Sequence, residues 1–211
     1  METYYPEAAA EMKAFSDYVA AAQDDELEEL FTKTFDVQPI CYLDLGYVIF
    51  GEDYKRGAFL LHMQEEQQKA GNDCGTDLSD NISNILTLIA KSGPTIFVRE
   101  LVARMLAPGV EKMIGEFASS KIELKLKVLR KLHKAIITED LNHGNVYVNT
   151  LHALKAVLEA DFKKEIADHK SSLQEDFDKN KSFFQKRTNT PQNDHQEKVE
   201  EMNLFTNHKL D

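Results

Sequence analysis

The segment from Ile40 to Phe50 is apolar at almost every position, with Asp44 its one charged residue, and it is bounded by Pro39 before and Gly51 after. A stretch so short and so uniformly apolar can be hidden in two ways. It can be a helix surrounded by other helices or a strand buried on both faces, and periodicity alone does not separate the two. In either form it belongs at the centre of the fold, and the rest of the chain has to cover it. Asp44 then either faces solvent or a groove, or is buried with a partner, because an unpaired buried carboxylate costs several kcal/mol.

The surroundings read as helices. Pro6 suits the first position of a helix, and Ala8, Met12, Phe15, Val19 and Ala22 follow at spacings of three and four. Asp24 and Asp25 can cap a second helix, with Leu27, Leu30, Phe31, Thr34 and Phe35 as its inner stripe. Gly51 ends the apolar run in a left-handed conformation, and Glu52 or Asp53 caps the helix that fades into polar residues toward Gly71. Asp77 to Ala90 restarts with Ile82, Ile85, Leu86 and Ile89 on one face. Ile96 to Leu106 reads as a helix ended by Pro108, with a short one from Val110 to Phe117. Ser120 and Glu123 form a capping box for a helix reaching Ile136, and a turn around residues 142–145 leads to a last long helix from about Tyr147 to Ile166. Beyond Ala167 the periodicity fails. The expected fold is all-α: a single helical-bundle domain of about eight helices over residues 1–167, with a polar, mobile tail over 168–211 that carries scattered Phe177, Phe183, Phe184 and Phe205.

Charge is segregated along the chain. The 211 residues carry a net charge of -11, which argues against nucleic acid as a partner. Residues 1–92 hold net -12, residues 93–167 net +3 and the tail net -2. An acidic first half favours a cationic partner or is simply a solvated surface. Cys41 and Cys74 form no C-x-x-C and no zinc pattern, as expected for idle thiols in a reducing compartment. The N-terminus carries Glu2, Glu7 and Glu11 without a basic segment, and no apolar run approaches the roughly 20 residues of a membrane span. A cytoplasmic protein without membrane insertion is expected.

Four sequence marks come in a telling order: Glu29-Leu30-Phe31, then Phe50-Gly51-Glu52, Arg56-Gly57, and Asp77-Leu78-Ser79-Asp80. The chain resembles, on these marks, the nitrate reductase delta-subunit family, within the wider NarJ/TorD/DmsD-like group of molybdenum-enzyme assembly chaperones. The resemblance covers about a third of the chain, and the FGEDYKRG segment, Phe50 to Gly57, is its most specific part. Ser79 stands where the family often has Pro, and Asn81-Ile82 replaces the usual His-Leu. The resemblance favours a helix for the Ile40–Phe50 run. It implies a TorD-like helical chaperone that binds the N-terminal segment of the catalytic subunit of a molybdopterin oxidoreductase, one like the nitrate reductase of nitrate assimilation. Such a chaperone keeps that subunit open until the molybdenum cofactor is inserted.

No phosphate loop, dinucleotide fingerprint, zinc-protease motif or nucleophile elbow occurs, and His62, His133, His143 and His152 lack metal-pair spacing. The reading is therefore a binding protein and not an enzyme, with no cofactor and no metal, acting as a monomer or weak dimer. A groove for an amphipathic, basic peptide needs apolar pockets and rim charges of opposite sign. Asp44, Tyr47, Phe50, Tyr54, Arg56, Phe59, Asp77 and Asp80 are the candidates for it. Phe50 and Phe59 also suit a plain core role, Arg56 a clamp on Glu52 or Asp80, and Gly51 and Gly57 backbone geometry. A permanent helical subunit or adaptor of a redox complex is the rival function; it would be present in the mature enzyme in equal amount, where a chaperone is absent.

Overall fold

The computed structural model describes residues 1–36, 39–118 and 145–174. The chain divides into two units, Met1–His169 and Lys170–Asp211, and of the second only residues 170–174 are described. The expected capping box at Ser120, most of the turn at 142–145 and the tail phenylalanines lie outside the described residues. The fold among the described residues is all-α, with one isolated β-bridge, Asp44 opposite Asn81.

Helix α1 (Pro6–Ala21) starts at its proline as expected, and the Tyr5 hydroxyl just before it donates to Asp161 at 2.8 Å. Helix α2 (Asp24–Phe35) is capped by Gln23, not by Asp24 or Asp25. Gln23 and Glu26 exchange side-chain and backbone hydrogen bonds as a reciprocal box, so the two aspartates are left in the first turn, where their charge faces the positive helix end. The rings of Phe15, Phe31 and Phe35 converge on Tyr147, with Phe35 nearest at 4.8 Å between centroids. This aromatic group joins α1 and α2 to α8 (Asn145–Asp161), along which α1 packs.

The apolar run is helical over only part of its length. Ile40 to Asp44 is irregular, with bends at Ile40, Cys41 and Leu43 and one bridge residue, Asp44, and only Leu45–Phe50 forms a helix, α3. The expected helix over the whole run is thus shorter by half. The irregular part crosses the segment before α5 (Ile82–Ser92), where Leu45 N–H donates to Asp80 O and Ile82 N–H donates to Leu43 O, both at 2.9 Å. Backbone groups that a longer helix would have satisfied internally are satisfied across the chain instead. Gly51 ends α3 with φ at +63°.

Helix α4 (Lys55–Lys69) follows Asp53, whose carboxylate accepts from Lys55 N–H. Helix α5 starts at Ile82 and not at Asp77, because Asn81 accepts from Ser83 N–H and fixes the start there. Its buried face is Ile82, Ile85 and Leu88, while Leu86, expected inside, is exposed. Replacing Asn81 with Ala is expected to cost about 1 kcal/mol of stability in a urea melt, with Ser recovering most of it, since either Asn or Ser can accept at this position.

Pro108 does not end a helix. Helix α6 (Ile96–Leu101), capped by the Thr95 hydroxyl, runs through a π-helical turn over Val102–Leu106 directly into α7 (Ala107–Glu116). Proline has no N–H to give, and its ring crowds the carbonyl four residues back. The widened turn, closed by Ala107 N–H to Val102 O, removes that conflict without breaking the helix. Helix α8 stops at Asp161, and a further helical segment covers residues 163–174, so regular structure extends past Ala167. The core collects Leu45, Met63, Ile85, Leu88, Val98, Val102, Leu106, Val110 and Met113 around α3. No helix among the described residues is long and apolar enough to cross a membrane.

Candidate peptide-binding site

The crossing of Asp44 and Asn81 places three charged side chains together. Asp80 is 0% exposed, and its Oδ2 accepts from Gly46 N–H at 2.9 Å. Arg56, from the first turn of α4, reaches Asp44 at 3.5 Å and lies over the Tyr47 ring, 5.0 Å from its centroid. Arg56 Nε and Asp80 Oδ1 are, among the described residues, the buried side-chain polar atoms without a hydrogen-bond partner. The guanidinium thus pairs with Asp44 at the long limit of a hydrogen bond and leaves Asp80 Oδ1 without a partner.

Both aspartates are held above the ordinary carboxylate range. Burial is the largest cause for Asp44; Asp77 adds to it, while Arg56 and the Asn81 side chain oppose it. Burial also dominates for Asp80, with Asp44 adding, and the Gly46 N–H and Arg56 opposing. These two groups share one cation in a site poor in water, which raises the cost of charging both.

Tyr47 connects this cluster to a cleft. Its other neighbour is Tyr42, with ring centroids 4.2 Å apart, and a hydrogen bond between the pair is the main cause that raises the Tyr42 hydroxyl above its usual pKa. The two rings border a cleft of about 530 Å³ that has Ile40, Val48 and Met113 as apolar lining and Lys112 and Glu116 at its charged side. Lys112 also donates to Ile49 O at 3.2 Å, which binds α7 to the last turn of α3. The volume lies within the roughly 300–1,000 Å³ of ligand sites, and the mixture of apolar lining with a few polar groups is the usual composition of one.

Of the eight residues expected at the site, Asp44, Tyr47, Arg56 and Asp80 come together. Phe50 and Phe59 meet edge to face at 6.0 Å and wall the cluster. Asp77 is exposed on the connector before α5, near enough for its charge to act on Asp44. Tyr54 points away into solvent. Asp80 is a buried clamp for the α3 backbone and not a rim charge. Sequence reasoning missed Gly46, Tyr42 and the α7 side of the cleft. Gly46 had a signal: a glycine inside an apolar run marks close approach. A Cβ there would lie 2.6 Å from Asp80 Oδ2 and 2.9 Å from Phe59. Nothing in the local pattern pointed to Lys112, Met113 or Glu116, since they reach the cleft only through packing of α7 on α3.

Among the described residues, no group of three His, Cys, Asp or Glu side chains is arranged to hold a metal ion. Compared with known proteins, the chain matches no family model, no curated protein and no solved structure.

Proposed function

We propose that this chain is a cytoplasmic, system-specific chaperone that binds the N-terminal segment of the catalytic subunit of a nitrate reductase-like molybdopterin oxidoreductase, and acts by binding and not by catalysis. The client class rests on the resemblance of the Phe50–Gly57 segment and its flanking marks to the delta-subunit family. The observation that carries the binding role is the cleft bordered by Tyr42 and Tyr47, with Tyr47 linking it to the Asp44–Arg56 pair through the Arg56 guanidinium over its ring. A helical ligand laid there would bury apolar side chains against Ile40, Val48 and Met113. Its basic groups would meet Asp44 and Asp77, which attract from a distance and set orientation.

The test is association kinetics with a synthetic leader peptide from such a subunit at several salt concentrations. Tyr47→Ala is expected to speed dissociation by about tenfold or more, because a buried aromatic anchor commonly contributes upwards of 2 kcal/mol. Asp44→Asn with Asp77→Asn is expected to slow association and flatten its salt dependence, since rim charges act mainly on encounter. Affinity that ignores both salt and these substitutions would move the site off the cleft. Equal amounts of the chain in the purified mature enzyme would instead mark a permanent subunit.

A further inference from the structure

The cluster around Arg56 is one cation short. Asp80 Oδ2 lies 2.6 Å and Arg56 Cγ 3.4 Å from the point that a Gly46 Cβ would occupy, so the arginine stem and the buried carboxylate pack against the same glycine. The Arg56 head group nevertheless leaves Asp80 Oδ1, an acceptor, and its own Nε–H, a donor, both buried and without a partner. It reaches instead to half-buried Asp44 at 3.5 Å and lies over the Tyr47 ring. That pairing is loose, since a well-made arginine–carboxylate bond measures about 2.7–2.9 Å.

We propose that a cationic group of the bound peptide takes Asp44 by exchange, with Arg56 passing from Asp44 to Asp80 and uncovering the Tyr47 ring. The proposal rests on the reading of this region as the peptide site, and it makes Arg56 and Asp80 the residues that set the preference for a cation there. Before the exchange two carboxylates share one positive charge; after it each has its own. The two orphaned atoms, costly to leave unpaired in a buried site, satisfy each other. Arg56 Nε–H and an adjoining Nη–H form the planar fork that suits a carboxylate. The Tyr47 face that the guanidinium leaves is open to a ligand side chain, which joins the charge contact to the cleft that the same ring borders.

A neutral ligand gains nothing from the move. Withdrawing Arg56 without a replacement leaves Asp44 uncompensated, with burial and Asp77 both opposing its charge. Asp80 itself is 0% exposed and does not reach the ligand; it is a positioning residue that receives Arg56. Gly46 gives the room, because a methyl group there would collide with Asp80 and press on the arginine stem.

Asp44→Asn removes the charge that holds Arg56 outward, as a bound cation would neutralise it, and so tests the exchange without any ligand. Asp44→Ala, which offers no acceptor at all, is expected to respond alike. NMR of the full chain with isotope-labelled arginine follows Arg56. The expected result is a downfield shift of the Arg56 Nε proton as it bonds to Asp80, with loss of the upfield ring-current shift that Tyr47 imposes on the arginine in the wild type. Adding Asp80→Asn is expected to abolish the downfield shift, because the single oxygen of the amide is taken by Gly46 N–H. A synthetic leader peptide added to the wild type is expected to move the same resonances in the same directions. Asp80→Asn is expected to weaken that peptide about tenfold in the wild-type background and to have no effect in Asp44→Asn. Arg56 resonances that both Asp44 variants leave in place overturn the inference, as does an Arg56 Nε proton already at its hydrogen-bonded position in the free wild type. A peptide that binds while Arg56 stays on Tyr47 also overturns it, and leaves the peptide site standing. Absence of peptide binding strikes the client reading, and the exchange is then upheld or overturned by the response of the Asp44 variants alone.

Discussion

Gly109→Ala is expected to destabilise the protein by about 1–3 kcal/mol, although alanine favours a helix interior over glycine by about 1 kcal/mol. The sign is reversed by a single neighbour. A Cβ at Gly109 would overlap Leu45 Cδ1, with Leu45 Cγ at 3.6 Å and Ile49 Cδ1 at 3.7 Å behind it. Leu45 is 0% exposed and has no empty direction in which to retreat. Leu45→Ala alone is expected to cost about 2–5 kcal/mol, through lost burial and the cavity left behind. The two substitutions together should cost clearly less than their sum, because the new methyl group occupies part of the space that the leucine vacates. Urea unfolding of the four proteins measures the coupling. Strict additivity would mean that α3 and α7 do not meet at these two residues.

The second large effect concerns Asp80. Replacing it with Ala removes the acceptor for Gly46 N–H inside the domain and takes one carboxylate away from Arg56, for an expected loss of about 1–3 kcal/mol at neutral pH. Its pH dependence is more diagnostic. Burial raises the Asp80 carboxyl above its ordinary value of 3.8, so the folded chain binds a proton that the unfolded chain has already released. Stability from this source is fully present below 3.8 and is lost as pH rises through the higher folded value. Asp44 is shifted in the same direction and adds to the slope. Asp80→Asn keeps an oxygen for Gly46 and removes the ionisation, so its urea midpoint should fall less with pH above 3.8 than that of the wild type. The same slope in both proteins would show that Asp80 is no more costly to ionise folded than unfolded.

Helix content was legible in the sequence wherever one face was apolar at spacings of three and four. Pro6 marked the start of α1 and Gly51 the end of α3, because each residue type fits few backbone conformations. The errors lie where hydrogen bonding and not apolar spacing sets the backbone. Ile40 to Asp44 takes a conformation decided by the crossing with the segment before α5, whereas the late start of α5 and the helix through Pro108 rest on hydrogen bonds, Ser83 N–H to Asn81 and Ala107 N–H to Val102 O, that apolar spacing does not register. Apolar periodicity alone has no access to such bonds. The candidate site followed the same rule. Asp44, Tyr47 and Arg56 stood out as polar or aromatic residues in or near an apolar run. Tyr42 could be seen but not placed, and the α7 wall of the cleft depends wholly on tertiary packing.

The crossing at Asp44 and Asn81 has a further consequence for how the chain tolerates change in length. It closes a loop that contains all of α4 and the connector with Gly71 and Gly75, both at positive φ. The entropy of closing a flexible loop grows only with the logarithm of its length, so even doubling it costs about 0.6 kcal/mol. Residues added near Gly71 to Gly75 therefore cost little in loop closure, and their effect on stability comes instead from losing the Asn72 bonds to Gln67 and Asn84 and the Lys91 bond to Gly71 O. One residue added between Ile40 and Leu45 would shift Leu43 and Asp44 out of register with Asn81 and turn the carboxylate away from Arg56. The two parts of one closed loop thus differ in what holds their length: side-chain hydrogen bonds in the connector, and backbone register in the segment that crosses Asn81.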